Sequence, residues 1–425
     1  MKFIPIAILF LVLANPLHAQ VLVEGKIIDQ KTGATLPTAN IVIENTYRGT
    51  VSNSEGRFSL KVDTFPVSLE VSFLGYKSKK IAVSKKEAQK TQTIALEPTV
   101  ISMQGITVTD DYASNLVAKA VHKTLADSSR LIIGKAFYRQ LTQSDSVYTE
   151  FIETFYKAKL SPVKIEDWGV VQGRYAVVSG DSVKGKVTMK DFSVFSRTSW
   201  VKDNSAAKDF IWPLTINSDK FYNFYVKKEY SRQDEQLITL TFEPKKNIPK
   251  PAFTGELTIT DTYSILALQA TIEVNDGIEI LSFPSKRIDT KNQILTIEYR
   301  STEIDEGFYV PNTIKVELAY DYIRRKGFLG RLFSGIDYKR RIHTQSLLYF
   351  HNYKLKGLAK WGENNTVNEN TDLTDKELID KAGYNPQFWE NNPIIKRTPV
   401  EQQVIESFEK YGSFGKMFNE EDKGN

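Results

Sequence analysis

The stretch VLVEGKIIDQKTGATLPTANIVIENTYRGTVSNSEGRFSLKV, residues 21–62, decides the fold of the N-terminal part of this chain. Apolar and polar residues alternate in the short runs VLVEGKIID, NIVIENT and GRFSLKV, the period of a half-buried strand. Turn residues break the runs. Thr32-Gly33 closes a hairpin, Pro37 presets φ before the next strand, and Ser54-Glu55-Gly56 places glycine where a tight turn needs positive φ. The pattern continues through SLEVSFLGY, KKIAV and QTIAL. Short strands with such regular turns predict an all-β sandwich.

Five spaced elements make that expectation specific. They are Gly25-x-Ile27-x-Asp29, then Gly33-x-x-Leu36-Pro37-x-Ala39-Asn40-Ile41, then Gly49-Thr50-x-Ser52, then Gly56-x-Phe58-x-Leu60, then Ser72-Phe73-x-Gly75-Tyr76. On these residues the region to about residue 98 resembles the carboxypeptidase-regulatory-like domain. The resemblance implies a transthyretin-like seven-stranded sandwich of the kind found at the N-terminus of Gram-negative envelope proteins, outer-membrane nutrient transporters among them. One departure is Asn53, where that family often carries Asp before the turn; Asn tolerates the same geometry. The family is named for a β-domain appended to metallocarboxypeptidases, not for the enzyme. The enzyme's zinc site needs His and Glu three residues apart. Leu125, Ser346 and Lys354 stand at that spacing after His122, His343 and His351. No His-Glu-x-x-His run is present either, so carboxypeptidase activity has no support.

Upstream, MKFIPIAILFLVLANPLHAQ has a basic start at Lys2 and an apolar run from Ile4 to Ala14. Leu17 and Ala19 fit the positions before a cleavage point. Residues 1–19 therefore read as a signal peptide, with the mature chain starting near Gln20. No later segment stays apolar for the roughly 18 residues a membrane helix requires. The expected location is periplasmic or outer-membrane-associated. The chain contains no cysteine, which excludes disulfides, thiolate nucleophiles and Cys-ligated metal. A net charge of +5 over 425 residues implies no pull toward nucleic acid. Hydrophobic residues at 41% and aromatics at 12% fit a globular, strand-rich chain.

Downstream, the sandwich pattern ends at Glu97-Pro98 and a short strand, Gly105–Val108, follows. From Tyr112 to Asp127 the period changes: Leu116, Val117, Ala120, Val121 and Leu125 form one helical stripe, with Asp110 or Asp111 placed to cap it. His122 leaves the stripe and reads as a surface residue. Beyond Ile132 the chain is strand-like almost to His351, with turn signals at Asn275-Asp276-Gly277 and Asp305-Glu306-Gly307. One long helix followed by many antiparallel strands predicts a large sheet or half-barrel packed on that helix. Phe137-Tyr138-Arg139, the strand carrying Glu150 and Glu153, Thr241-Phe242-x-Pro244 and Thr254-Gly255-x-Leu257-x-Ile259-x-Asp261 resemble an envelope family that often follows such a sandwich. Its core is similar to lipoprotein-carrier half-barrels, which hold an acyl chain between sheet and helix. The organisation expected is a signal peptide over 1–19, a sandwich over 20–98, helix plus half-barrel over 99–355, and a loop-rich tail with short helices over 356–425.

Candidate residues are few. Phe221, Tyr222, Phe224 and Tyr225 read as sheet packing, with a ligand-lining wall as the other reading. Arg139 with Glu150 and Glu153 reads as a cross-strand charge pair on a sheet surface, ahead of catalysis. Arg324, Arg325, Lys326, Arg331, Lys339, Arg340 and Arg341 are interleaved with Phe328 and Leu329. This basic stretch is either a solvated loop or a contact with a membrane surface. In the tail, Lys376–Lys381 suggests a helical turn or two, Glu401–Tyr411 a short amphipathic helix starting at Thr398 or Pro399, and Trp389, Phe408 and Phe414 the anchors. No nucleophile elbow, phosphate loop, dinucleotide fingerprint or metal-ligand pair occurs, and no cofactor is expected. The expectation is a non-enzymatic envelope binding or assembly protein holding a lipid or lipoprotein segment. The alternatives are a structural docking module for an outer-membrane transporter and an enzyme acting on glycan or cell wall.

Overall fold

The computed structural model describes residues 21–99, 110–177, 196, 199–203, 210–232, 235–274, 288–325, 338–354, 375–383, 385–391 and 394–410. The signal-peptide region, the strand expected at Gly105–Val108, the Asn275–Gly277 turn, Lys326, Phe328, Leu329, Arg331 and Phe414 lie outside them. The described chain forms two compact units. One comprises residues 21–74, 78–97 and 394–396, and the other holds the rest.

The first unit is the sandwich. Its strands are β1 (Val21–Asp29), β2 (Asn40–Ile43), β3 (Gly49–Val51), β4 (Arg57–Val62), β5 (Val67–Ser72), β6 (Lys79–Val83) and β7 (Gln92–Leu96). They pair as a three-stranded sheet, β4-β1-β7, and a four-stranded sheet, β3-β2-β5-β6. β1 buries every second side chain, as its alternation demands, and Val23, Ile27, Ile41, Phe58, Leu69 and Ile94 make the core between the sheets. The punctuation works as its chemistry requires. Asp29 Oδ1 accepts the Lys31 and Thr32 amides at 2.7 and 2.8 Å, and Gly33 follows at φ 71°. At the next turn Asn53 Oδ1 accepts the amides of Glu55 (3.0 Å) and Arg57 (2.9 Å), with Gly56 at φ 73°.

The second unit is one ten-stranded antiparallel sheet with helices on it. Helix α1 (Asp110–Ala126) precedes β8 (Ile132–Ser144), β9 (Val147–Leu160) and β10 (Ile165–Val177). Next come β11 (Tyr222–Arg232), β12 (Glu235–Pro244), β13 (Thr254–Thr260), β14 (Ile265–Val274), β15 (Ile288–Asp305), β16 (Phe308–Arg324) and β17 (Tyr338–Lys354). Helices α2 (Asp375–Ala382), α3 (Pro386–Asn391) and α4 (Pro399–Lys410) close the chain. The sheet order is β10-β9-β8-β17-β16-β15-β14-β13-β12-β11. The chain thus starts mid-sheet, runs out to one edge, crosses to the other and meanders back until β17 pairs with β8.

The core lies on the face that α1 covers. Ala113, Leu116, Val117, Ala120 and Val121 are buried there, in one cluster with Leu240, Leu257, Leu268, Leu295 and Leu318 of successive strands. This is the stripe read from the sequence; His122 is exposed. Lys123, off the stripe, reaches back to the sheet, donating to Thr262 O (2.9 Å) and Ser264 Oγ (2.7 Å). The crossover packs into the same core. Trp200 stacks on Tyr299 at 4.9 Å, and the Trp212 indole donates to Trp200 O at 2.7 Å. Tyr222 and Phe224 are buried, whereas Tyr225 is exposed and donates to Glu243 at 3.2 Å. The aromatic run therefore serves packing and rim.

Helices sit on both faces of β8–β10. On the core face, α2 sets Ile379 against Gly173, where an added Cβ would lie 2.5 Å from Ile379 Cγ1. On the opposite face, α3 places Phe388 and Trp389 at 5.0 and 5.3 Å from Phe155, and α4 packs Val404 and Ile405 on Phe151 and Ala176. α4 begins with a reciprocal capping box: Glu401 N donates to Thr398 Oγ1 (3.1 Å) and Thr398 N to Glu401 Oε2 (2.7 Å).

Candidate functional site

On the β-body, the charges singled out in the sequence are brought together under the tail. Arg139 and Glu153 face each other across β8 and β9, as the period predicts, but they are buried rather than on a sheet surface. The reason is α4 and its leading residues, which cover this face and add charges from far along the chain. Glu153 accepts from Arg139 Nε (2.9 Å), Arg174 Nη2 (2.6 Å) and Arg397 Nη2 (3.2 Å). Arg139 also meets Glu401 at 3.4 Å, and Arg174 lies 4.4 Å from the Trp389 ring centre. Burial by itself would raise the Glu153 pKa; Arg139, Arg174 and Arg397 outweigh it and hold the carboxyl well below its usual range.

That arrangement is poor acid–base chemistry. A general acid needs a raised pKa, and Glu153 has the reverse. Glu150 does not join it. Three residues apart on one strand, the two carboxylates point to opposite faces. Glu150 sits on the core face with Gln140 (3.4 Å) and Thr142 (3.2 Å). Asp261 is exposed in the turn after β13. The carboxylates weighed for a glycan-cleaving site thus do not converge. His351, on β17, stacks on Tyr349 at 5.9 Å, and burial, with Lys135 adding to it, holds its pKa down at about 4. Among the described residues no group of three or more His, Cys, Asp or Glu is placed to hold a metal ion.

A cleft beside Lys123, Thr124, Trp200, Tyr299 and Tyr309 leaves a cavity of about 20 Å³. That is room for about one water, against the roughly 300–1,000 Å³ of ordinary ligand pockets. Trp200, Trp212 and the α1 stripe belong to one buried cluster on the face where the acyl-chain site is expected.

The basic stretch is spread along two strand ends. Arg325 pairs with Asp289 (2.8 Å), Arg340 with Asp145 (2.7 Å), and Lys339 and Arg341 with Asp321 (3.1 and 3.2 Å). Arg324 is exposed.

The sandwich carries a site that the sequence reading did not single out. Ile394, Ile395 and Lys396 belong to its compact unit. Thr50 Oγ1 donates to Ile394 O at 2.5 Å, Asn53 Nδ2 to Lys396 O at 3.1 Å, and Lys396 Nζ meets Glu24 Oε1 at 2.7 Å. Ile395 is buried. Ser52 stiffens the loop from below: its Oγ donates to Leu36 O (2.6 Å) and accepts from Ala39 N (2.9 Å). The Gly49-Thr50-x-Ser52 element thus supports a seat for a peptide segment. Asn53 was visible as a departure from its family. An Asp there would keep the turn but could not donate to a carbonyl.

The CarboxypepD_reg-like domain model matches residues 23–108, so the sandwich is a domain of that type. No curated protein matches the chain. Among solved structures, a DUF1329-family protein from Desulfovibrio piger is similar at 12% identity and a TM-score of 0.24, over 58% of this chain and 93% of that one. A LolA-superfamily protein from Nitrosomonas europaea is similar at 12% identity and a TM-score of 0.22, over 58% of this chain and 94% of the other. Superpositions this loose place no residue of those proteins on a residue here. No helix among the described residues is long and apolar enough to cross a membrane.

Proposed function

We propose that this chain is an exported, non-enzymatic binding and assembly protein of the cell envelope, working through protein–protein contact made by its sandwich. The seat on the sandwich, which fixes main-chain carbonyls and one lysine, carries the reading. The cleft beside α1 leaves about 20 Å³, far less than an ordinary ligand pocket. Export rests on the Met1–Ala19 sequence. Native mass spectrometry of the protein purified from its own envelope tests the proposal. A stoichiometric protein partner is expected; lipid as the sole bound species would overturn it.

A second reading keeps the lipid or lipoprotein segment, and the contact of Ile379 with Gly173 favours it. Helix α2 covers the β10 end of the core face with a few apolar side chains, so its withdrawal would uncover an apolar strip. An Ile379→Asp variant that acquires bound lipid would support this reading, and one that stays lipid-free would remove it. A membrane-surface role for Arg324, Arg325, Lys339, Arg340 and Arg341 stays open beside these readings, since exposed pairs such as Arg325–Asp289 and Arg340–Asp145 hold their side chains weakly.

A further inference from the structure

The geometry points to what the sandwich recognises: we propose that Glu24, Thr50 and Asn53 form a peptide-reading site for a segment with an aliphatic residue followed by lysine. In the free protein Ile394-Ile395-Lys396 fills it in cis, and a partner protein's segment of the same chemistry replaces it. This rests on the reading of the sandwich as the interaction module.

The three contacts divide recognition between backbone and side chain. Thr50 and Asn53 donate to carbonyls two residues apart, and these bonds fix register without reading sequence. Sequence is read at two positions only. The middle residue, Ile395, is buried and apolar, and the next carries the cation that meets Glu24. Thr50 is itself buried, and apart from the seated carbonyl its hydroxyl reaches Val51 O at 3.5 Å, beyond good hydrogen-bond length. The hydroxyl's short hydrogen bond is thus the one it makes to the seated main chain.

The same contacts make the occupant exchangeable. The Lys396–Glu24 pair is about a quarter and a third exposed at its two ends, and such pairs bind weakly. What holds the cis segment is tethering, which raises its effective concentration without raising its intrinsic affinity. A free peptide should therefore compete poorly with the intact chain and well once the cis segment is spoiled.

The test uses the full mature chain and a fluorescein-labelled pentapeptide, Asn-Pro-Ile-Ile-Lys-amide, read by anisotropy. Saturable binding is expected to the Ile395→Asp/Lys396→Glu variant, at least ten-fold tighter than to the wild-type chain. Adding Asn53→Asp should weaken it, since the donor to the carbonyl is gone. Should that variant fold poorly, Glu24→Lys alone, at a surface position, is expected to bind Asn-Pro-Ile-Ile-Glu-amide and to reject the lysine peptide. Binding to neither variant, or lysine-peptide binding that survives Glu24→Lys, overturns the assignment. A protein partner found by native mass spectrometry despite such a failure would leave the wider reading standing and remove only this seat. Absence of any partner would remove the wider reading itself.

Discussion

Replacing Glu153 by Gln should be among the most damaging single changes to the β-body. The side chain is 1% exposed and accepts charged hydrogen bonds from Arg139, Arg174 and Arg397 at 2.6–3.2 Å. An amide of the same shape keeps one acceptor oxygen but turns an NH₂ group toward a guanidinium. It also removes the charge that offsets three buried or half-buried cations. Breaking a buried ion pair from one side costs about 3–5 kcal/mol. Arg139 keeps Glu401, and Arg174 keeps the Trp389 ring, which argues for the lower end of that range. No tryptophan falls in residues 21–98, and the four among the described residues, Trp168, Trp200, Trp212 and Trp389, lie in the β-body, so their fluorescence follows its unfolding. With a urea slope of about 2–3 kcal/mol per molar, the midpoint should fall by about 1–2 M. The pH dependence has a defined sign. The folded-state pKa of Glu153 is depressed, so its contribution is complete above the unfolded value near 4.5 and fades as the pH falls below that. The gap between wild type and variant should be flat at neutral pH and narrow in acid. A destabilisation under about 1 kcal/mol at pH 7 would refute the claim that this cluster holds the tail region to the sheet.

His351 should impose an opposite-charge version of that acid sensitivity. Its pKa of about 4 lies below the unfolded value near 6.5, so the unfolded chain takes up the proton first and stability declines as pH drops from about 6.5 toward 4. The loss is at most about 3 kcal/mol, less for a ring that keeps some solvent contact, and His351→Phe should flatten urea midpoints across that window. Gly173→Ala should cost about 1–3 kcal/mol by driving a Cβ into Ile379. In an Ile379→Ala background the same change should cost measurably less, a coupling that a double-mutant cycle reads directly. Thr398→Ala removes one half of the capping box and should cost about 1 kcal/mol, with faster proteolytic cleavage within α4.

The sequence by itself determined several features that depend on a local period. Alternation in 21–62 dictated the sandwich strands, and the Thr32-Gly33 and Ser54-Glu55-Gly56 turns fall where positive φ is found. The stripe Leu116, Val117, Ala120 and Val121 marked the buried face of α1, and the Thr398-x-x-Glu401 spacing fits the start of α4. Such features are legible because the interacting residues are neighbours along the chain. What only the tertiary structure decided are the meetings of distant residues. Arg397 and Glu401 turn a cross-strand pair into a buried cluster, and Trp200 and Trp212 join the core on the face that α1 covers. Ile394–Lys396 comes to rest on Thr50 and Asn53, more than three hundred residues upstream. No pattern in either partner announces such a contact, because its energy exists only once the fold has brought the two segments within hydrogen-bond range.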